Sequence, residues 1–402
     1  MPTQSGSRAI LALVLLILIV LEAGVPASGH FAQAEEPRAN AVRIGVFGLF
    51  HPSQLKVTPV AGAALVVHAG KEMIVLEKSS GVESITVQSS TTGILLLVGK
   101  RVLHVPAVAL SGRMDESTDF MLSVPDKISR RYRGTLEIGA SEGKLTAVVR
   151  MDLETAVASV VAAESAPGTP LEALKAQAIA SRSYFVASRG RHRDFDFCDT
   201  THCQFLREPP TISSAATRAV EATRGMLLAY HAQPLPTMYT RSCSGRTRTP
   251  GDVGLPSDGY PYYSVECKYC RSHPARWTSR ISASDATRLR SSDEFARLAV
   301  DRVLGWSAVP SNDFTISMSN SHAANEKVVL EGKGQGHGIG LCQAGARFMA
   351  KEGASFREIL SYYYPNTAIV HGPRGIRTNG NSSSPTRRAA LLKLRFRQEE
   401  IR

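Results

Sequence analysis

The sequence lacks the glycine signatures of nucleotide binding. Its one glycine-dense run, Gly332 to Ala346, offers no register of G-x-G-x-x-G, and no G-K-[ST] follows it, which removes the dinucleotide and P-loop readings. It also lacks an internal repeat, which excludes a solenoid or propeller. Beyond the N-terminus it has no apolar run long enough to span a bilayer. Acidic residues are short overall, and the formal net charge is +12. Half of that excess lies from His371 onward, where eight basic residues face two acidic ones in a Ser/Asn/Pro/Gly-rich stretch. That placement argues against a nucleic-acid surface. It reads instead as a disordered basic tail, 373–402, either simply solvated or facing anionic envelope polymers.

What is present begins with Arg8, the apolar run Ala9–Leu21, and small residues ending in Ala32-Gln33-Ala34. A basic start, a short apolar core and an A-x-A step are the parts of a signal peptide, here residues 1–34. Thirteen apolar residues fall short of the ~20 that a spanning helix needs. The chain is therefore expected to be exported to the periplasm or outer envelope. If the segment were retained, it would be tethered on the same side.

Residues 40–125 alternate apolar and polar in short Val/Leu/Thr/Gly runs, which predicts a β-rich N-terminal region. Strands are expected at Gly134–Ile138 and Lys144–Met151, joined by a Ser-Glu-Gly turn. Asp152 then caps a helix running to about Glu164, and Pro167 stops it. Thr169-Pro170-Leu171-Glu172 reads as a capping box opening a second helix through Tyr184 towards Gly190. The stretch 201–282 reads as loops, Arg288–Leu304 and Cys342–Glu352 as helices, and Phe314–Leu330 as strand. The fold class is α+β, a β-rich frame carrying a few functional helices.

Glu164 shares a helix face with Val157, Val160 and Val161. Apolar surroundings and the negative end of a helix both favour a neutral carboxyl. A general acid needs that property; the alternative is a helix-end glutamate facing water. On the next helix, Leu171, Leu174, Ala178 and Phe185 read as core, while Lys175, Ile179, Arg182 and Val186 form a second stripe. A cation on that stripe wants a partner, so Arg182 is expected to hold a carboxylate, a carbonyl or a sugar hydroxyl, or to form a structural ion pair. The glycine run presents His337 and opens a helix near Gln343, an arrangement suited to a polar ligand.

Six cysteines complete the inventory. Cys198 and Cys203 with Cys267 and Cys270 are spaced like two knuckles of a four-thiolate zinc site, with His192 and His202 as alternative ligands beside Cys198 and Cys203. A pair of disulfides is the competing arrangement in an exported chain.

Several segments occur together and in order: Tyr132–Glu137, Asp152-Leu153-Glu154, Val160–Glu164, Pro170–Tyr184, and Gly332–Ala346 with Tyr362-Tyr363-Tyr364-Pro365. This set resembles the sporulation stage II protein D (SpoIID) family, which includes the LytB-type amidase enhancers. The resemblance covers about 132–367 and implies a catalytic domain over 130–370. It implies a lytic transglycosylase acting on peptide-stripped peptidoglycan glycan strands. It places the catalytic residues at Glu164 and Arg182, and substrate contacts at Lys175, Tyr184, Ser242, His337 and Gln343. The family's zinc ligands fall within His192–Cys203. At the family's Ser/Cys-Gly-Gly segment this chain departs, reading Cys243-Ser244-Gly245. One acid suffices in such chemistry, because the muramic acid 6-hydroxyl is the nucleophile. The competing expectations are a non-catalytic glycan-binding activator of a cell-wall amidase, and an envelope scaffold.

Overall fold

The computed structural model describes residues 40–372, apart from 78, 80, 258, 290–292, 306 and 318–326. The expected signal segment and basic tail lie outside the described residues. No helix among the described residues is long and apolar enough to cross a membrane.

Alternating apolar residues build one 12-stranded sheet. Its strands are β1 (Ala41–Val46), β2 (Gln54–Pro59), β3 (Leu65–Ala69), β4 (Glu72–Leu76), β5 (Ile85–Ser90), β6 (Gly93–Val98), β7 (Arg101–Val105), β8 (Ala107–Ser111), β9 (Thr118–Val124), β10 (Ile128–Ser141), β11 (Lys144–Asp152) and the short β12 (Phe197–Cys198). The main path runs β12-β1-β11-β10-β9-β2-β5-β6-β7, while β8 joins β10 to β3 and β4. The long β10 is the pivot. Residues 128–134 pair with β9 and residues 135–141 with β11. Gly134 sits at the switch with φ +153°, where a Cβ would lie 2.3 Å from the Arg150 carbonyl oxygen. The expected break between 125 and 130 thus falls inside a hairpin, where Val124 pairs with Ile128. The N-terminal strands and the start of the expected catalytic domain share one sheet and one core, in which Leu55, Phe120, Tyr132, Leu136 and Val149 are buried.

The helix α1 (Leu153–Glu164) follows β11 directly. Asp152 caps it by accepting from the N–H groups of Glu154 and Thr155, at 2.9 and 3.2 Å. Val157, Val160 and Val161 bury against the sheet. The helix α2 (Leu171–Ala187) is buried on two sides. Leu174, Ala178 and Phe185 join the sheet core, and Ala173, Ala176 and Ile179 join a second core. A helix enclosed this way shows no single apolar stripe, and its small alanines allow close approach. Two local expectations fail here. The capping box does not form, because the Thr169 hydroxyl donates to Ala166 O and Glu172 turns to Lys175 and the Phe356 N–H. Leu171, at the first turn, is 40% exposed instead of core.

The stretch expected as loop holds α3 (Ala215–Ala222), β13 (Met226–Tyr230), β14 (Gln233–Pro234), β15 (Tyr239–Thr240) and the short helix α4 (Lys268–Ser272). A small third core follows, made by β16 (Arg276–Ser282), α5 (Ala283–Arg288), α6 (Glu294–Leu304), β17 (Asp313–Ser317) and β18 (Lys327–Lys333). Of the helix expected over 288–304, Glu294–Leu304 forms as α6, while Arg288 ends the separate α5, and 314–330 contributes two antiparallel strands. The chain closes with β19 (Leu341–Cys342), α7 (Gln343–Lys351), α8 (Phe356–Tyr363) and β20 (Ala368–His371).

Arg182 ties this arrangement together. It is 1% exposed and grips Glu154 through Nε and Nη2, with the shortest contact at 2.6 Å. It also donates to the carbonyls of Met226 and Val220. The guanidinium is fully engaged inside the helical layer and points at the start of α1, not its end. This is the structural ion pair, and Arg182 lies away from Glu164. Replacing Arg182 with Met should cost about 3–5 kcal/mol in urea unfolding, because Glu154 is left buried and unpaired. Adding Glu154→Leu should recover much of the loss. A single variant within about 1 kcal/mol of the parent would contradict this role.

Candidate functional site

A cleft of about 670 Å³ opens at the C-terminal end of α1. Its walls come from α1 and α2, the segment after β12, the β15 segment, α6 and the glycine loop. Glu164 is half-buried within it, at the point where Ser165 leaves the helix in extended conformation. Its Oε1 accepts from the Phe205 N–H at 3.2 Å, and its carboxylate is bonded by the Gln343 side chain. Burial raises its pKa above the ordinary carboxylate value, against the opposing pull of the Phe205 N–H, the Arg241 charge and Gln343.

The other cleft carboxylates differ in their partners. Asp199 binds Arg130 at 3.1 Å and the Phe47 N–H at 3.3 Å, and burial pushes its pKa up to about 6. Glu294 and Asp301 both grip the buried Arg297, at 2.6 and 2.8 Å. Each of these three is bonded to an arginine, whereas Glu164 is held by amide groups. Tyr239 sits close enough to feel the charge of Glu164, and its hydroxyl donates to Gln204 Oε1 at 3.1 Å.

The glycine loop forms the facing wall. Gly334, Gly336, Gly338 and Gly340 all have positive φ, so the alternation does adopt the conformation glycine favours. The loop lies against β15, with Tyr239 opposite Leu341 and Thr240 opposite Cys342. Approach is closest at Gly340, where a Cβ would lie 1.9 Å from the Met238 carbonyl oxygen. His337 reaches the cleft with both ring nitrogens used. Nδ1 accepts from the Ile339 N–H at 3.0 Å, and the ring bonds the Tyr239 backbone. Burial lowers its pKa, so His337 is a neutral, fixed dipole there. Gln343, first residue of α7, also contacts Gln177 at 3.5 Å.

Of the expected site residues, Glu164, Tyr184, His202, Cys203, His337 and Gln343 line the cleft. Arg182 does not, for the reason above. Lys175 pairs with Glu172 at 2.6 Å over Phe356, and Ser242 is buried against Cys270. Phe205, Arg241, Glu294 and Arg297 also line the cleft and come from segments without a local motif, while Tyr239 comes from the stretch that resembles the family's Ser/Cys-Gly-Gly segment and Gln204 from the end of the Cys198–Cys203 stretch.

The four-cysteine set expected for zinc is split. Cys198 and Cys203 gather with His192 and His202, the alternative ligands, with all four ligand atoms within 4.8 Å of one another. His192 Nε2 is 3.3 Å from Cys203 Sγ, and His202 Nδ1 is 3.7 and 3.6 Å from the two sulfurs. Cys267 and Cys270 lie instead with Cys243 and Cys342, buried in the second core. Chain spacing misleads because each knuckle finds its complement elsewhere. A mixed two-His, two-Cys set fits a tetrahedral zinc ion, and its ligands lie just before Gln204 and Phe205. All six cysteines are free thiols in this structure.

Comparison with known proteins matches residues 141–230 to the family model described as SpoIID, Stage II sporulation protein. The chain carries a segment similar to the SpoIID family. That segment spans β11, α1, α2, the two-His two-Cys set and β13. The chain is 28% identical over 273 residues to an uncharacterized protein of Brachyspira hyodysenteriae, covering 60% of this chain and 72% of that protein. It is 26% identical over 271 residues to Stage II sporulation protein D of Bacillus subtilis, covering 55% and 75%. To the Amidase enhancer of Bacillus subtilis it is 24% identical over 273 residues, covering half of this chain and 38% of that protein.

The close approach at Gly340 is testable. Gly340→Ala should cost about 1–3 kcal/mol from strain and more from the clash, read as a lowered Tm. Gly353→Ala is the control, since it has φ +94° with no atom within 4 Å of the added Cβ. Equal losses in the two variants would contradict the contact.

Proposed function

We propose that this chain is an exported lytic transglycosylase that cuts peptidoglycan glycan strands, with Glu164 as its single acid and base. The observation that carries this is the contrast among the cleft carboxyls. Three are bonded to arginine, while Glu164 sits half-buried among amide donors with its pKa raised. A carboxyl biased towards its protonated form beside a polar cleft is what glycosidic cleavage requires.

In this reading Glu164 gives its proton to the glycosidic oxygen as the C1–O bond of muramic acid breaks. The same carboxylate then takes the proton from the muramic 6-hydroxyl, whose oxygen closes onto C1. The product is a 1,6-anhydro end, and the enzyme is returned to its starting state without a second carboxylate or a water. Gln343 and the Phe205 N–H hold the carboxyl in place, while His337 and Gln204, whose polar atoms are already bonded within the protein, fix the Tyr239 wall beside it. Phe205, half-buried in the cleft wall, adds apolar surface for the sugar. Arg182 acts only by setting the direction of α1. Zinc on His192, Cys198, His202 and Cys203 would be structural, fixing the loop that carries Gln204 and Phe205.

The name of the enhancer relative supports a second reading, in which the same cleft binds glycan and activates a cell-wall amidase. Digestion of purified peptide-free strands separates the two. Anhydro-ended fragments from the parent, absent with Glu164→Gln, are expected. Uncut strands with both proteins, each still binding glycan, would favour the activator.

The pH dependence has a defined sign. Because the acid must start protonated, kcat/KM should fall as pH rises through the raised pKa of Glu164, above the ordinary carboxylate range. Gln343 stabilises the ionised form, so Gln343→Leu should move that limb to higher pH. A limb unmoved or shifted downward would contradict the assignment.

A further inference from the structure

Four cysteines remain that the cleft chemistry does not use. Cys243 follows Ser242 beyond β15, Cys267 and Cys270 flank the first turn of α4, and Cys342 caps α7. They come from three separate stretches of chain. Their exposures are 2, 2, 0 and 0%, and their sulfurs all lie within 4.8 Å of one another. Cys270 Sγ and Cys342 Sγ are 3.5 Å apart.

We propose that these four thiols form a second, closed metal site holding one zinc ion, distinct from the two-His, two-Cys set, and that this ion anchors the glycine loop. Four thiolates at about 2.3 Å around a tetrahedral ion stand about 3.8 Å from each other, which matches the cluster. Two disulfides would instead draw the sulfurs into two pairs at about 2.05 Å. A multi-iron cluster needs its cysteines spread around several metals, and this cavity closes on a single point. A tetrahedral all-thiolate set selects zinc or a lone iron among common metals.

The surroundings are those of thiolates. The Gly345 N–H points at Cys342 Sγ at 3.4 Å. The Ser242 hydroxyl is 3.4 Å from Cys270 Sγ, and the Tyr363 hydroxyl is 3.5 Å from Cys267 Sγ. Donors to metal-bound sulfur offset the net negative charge of a four-thiolate zinc centre, and the positive N-terminal end of the nine-residue α7 adds to them. Gly345 is required for this packing. A Cβ there would lie 2.6 Å from Cys267 Sγ and 2.0 Å from the Tyr363 hydroxyl. Buried apolar thiols alone account for the cysteines' burial but not for three polar donors converging on them.

The consequence concerns the cleft wall. Ser242, next to Cys243, exchanges backbone hydrogen bonds with Gln335 at the start of the glycine loop. Cys342 ends that loop, and the next residue is Gln343, which bonds Glu164. One ion would thus hold both ends of the loop and the donor to the acid. The effect on glycan cutting rests on the function proposed above; the metal content does not.

The test is zinc counted by elemental mass spectrometry on the full chain as purified. Cys243→Ser/Cys270→Ser should lose one equivalent per chain relative to the parent. His192→Ala/Cys198→Ser should keep that equivalent. Because the first variant could fail to fold, two measurements use cysteines left intact. Cobalt loaded into the His192→Ala/Cys198→Ser protein should give the visible bands of tetrahedral thiolate coordination. Alkylation of the folded, unreduced parent should label these four cysteines only once a chelator is added. Peptides cross-linked among the four, labelling without a chelator, or a lone iron with its own colour would each overturn the proposal.

Discussion

The buried pair of Arg182 and Glu154 is the constraint on which the site depends. Helix α1 carries a glutamate near each end. The first is clamped by Arg182, which also binds the carbonyls of Val220 and Met226, and the Gly225 N–H donates to the same carboxylate at 3.3 Å. Helices α1, α2 and α3 and strand β13 are thereby fixed around one charge. With its start held, α1 can project only one way, and its last residue, Glu164, enters the cleft. A buried ion pair adds little net stability over apolar packing, so its value here is directional. Two carboxylates one helix apart therefore have opposite environments: one is paired with a guanidinium at 2.6 Å, and the other is biased towards its neutral form by burial.

The cleft is a meeting of parts with separate supports. The sheet core carries α1, and the second core carries the glycine loop and α7. Helix α2, buried in both, is the shared wall, which explains its run of alanines. The two clusters of soft ligands stand at the places where regular structure gives out: beyond β12, and where the β15 segment meets the glycine loop. Loops that must place a donor such as the Phe205 N–H or Gln343 need such fixing, since they have few apolar contacts of their own.

Much of this was legible from the residues. Helix α1 and its Asp152 cap, the burial of Glu164, and the positive-φ glycines are local consequences of spacing and residue type. The same pattern that flagged Arg182 as needing a partner could not say which, because Glu154 lies 28 positions away on another helix. Metal spacing failed for a similar reason. Cys267-x2-Cys270 reads as half of a site, but its other half is Cys243 and Cys342, brought near by β15 pairing with β19. The Thr169 capping box was overridden when Glu172 found Lys175 and the Phe356 N–H. Asp199, Glu294 and Arg297 had no motif to mark them, and only the fold puts them in the cleft.

The most direct test of the account is a crystal structure of Glu164→Gln with a short peptide-free glycan bound. The account predicts a muramic acid residue beside position 164, its glycosidic oxygen within hydrogen-bonding distance of the new amide and its 6-hydroxyl turned towards C1. Glycan seated elsewhere, with no glycosidic oxygen near residue 164, would contradict it.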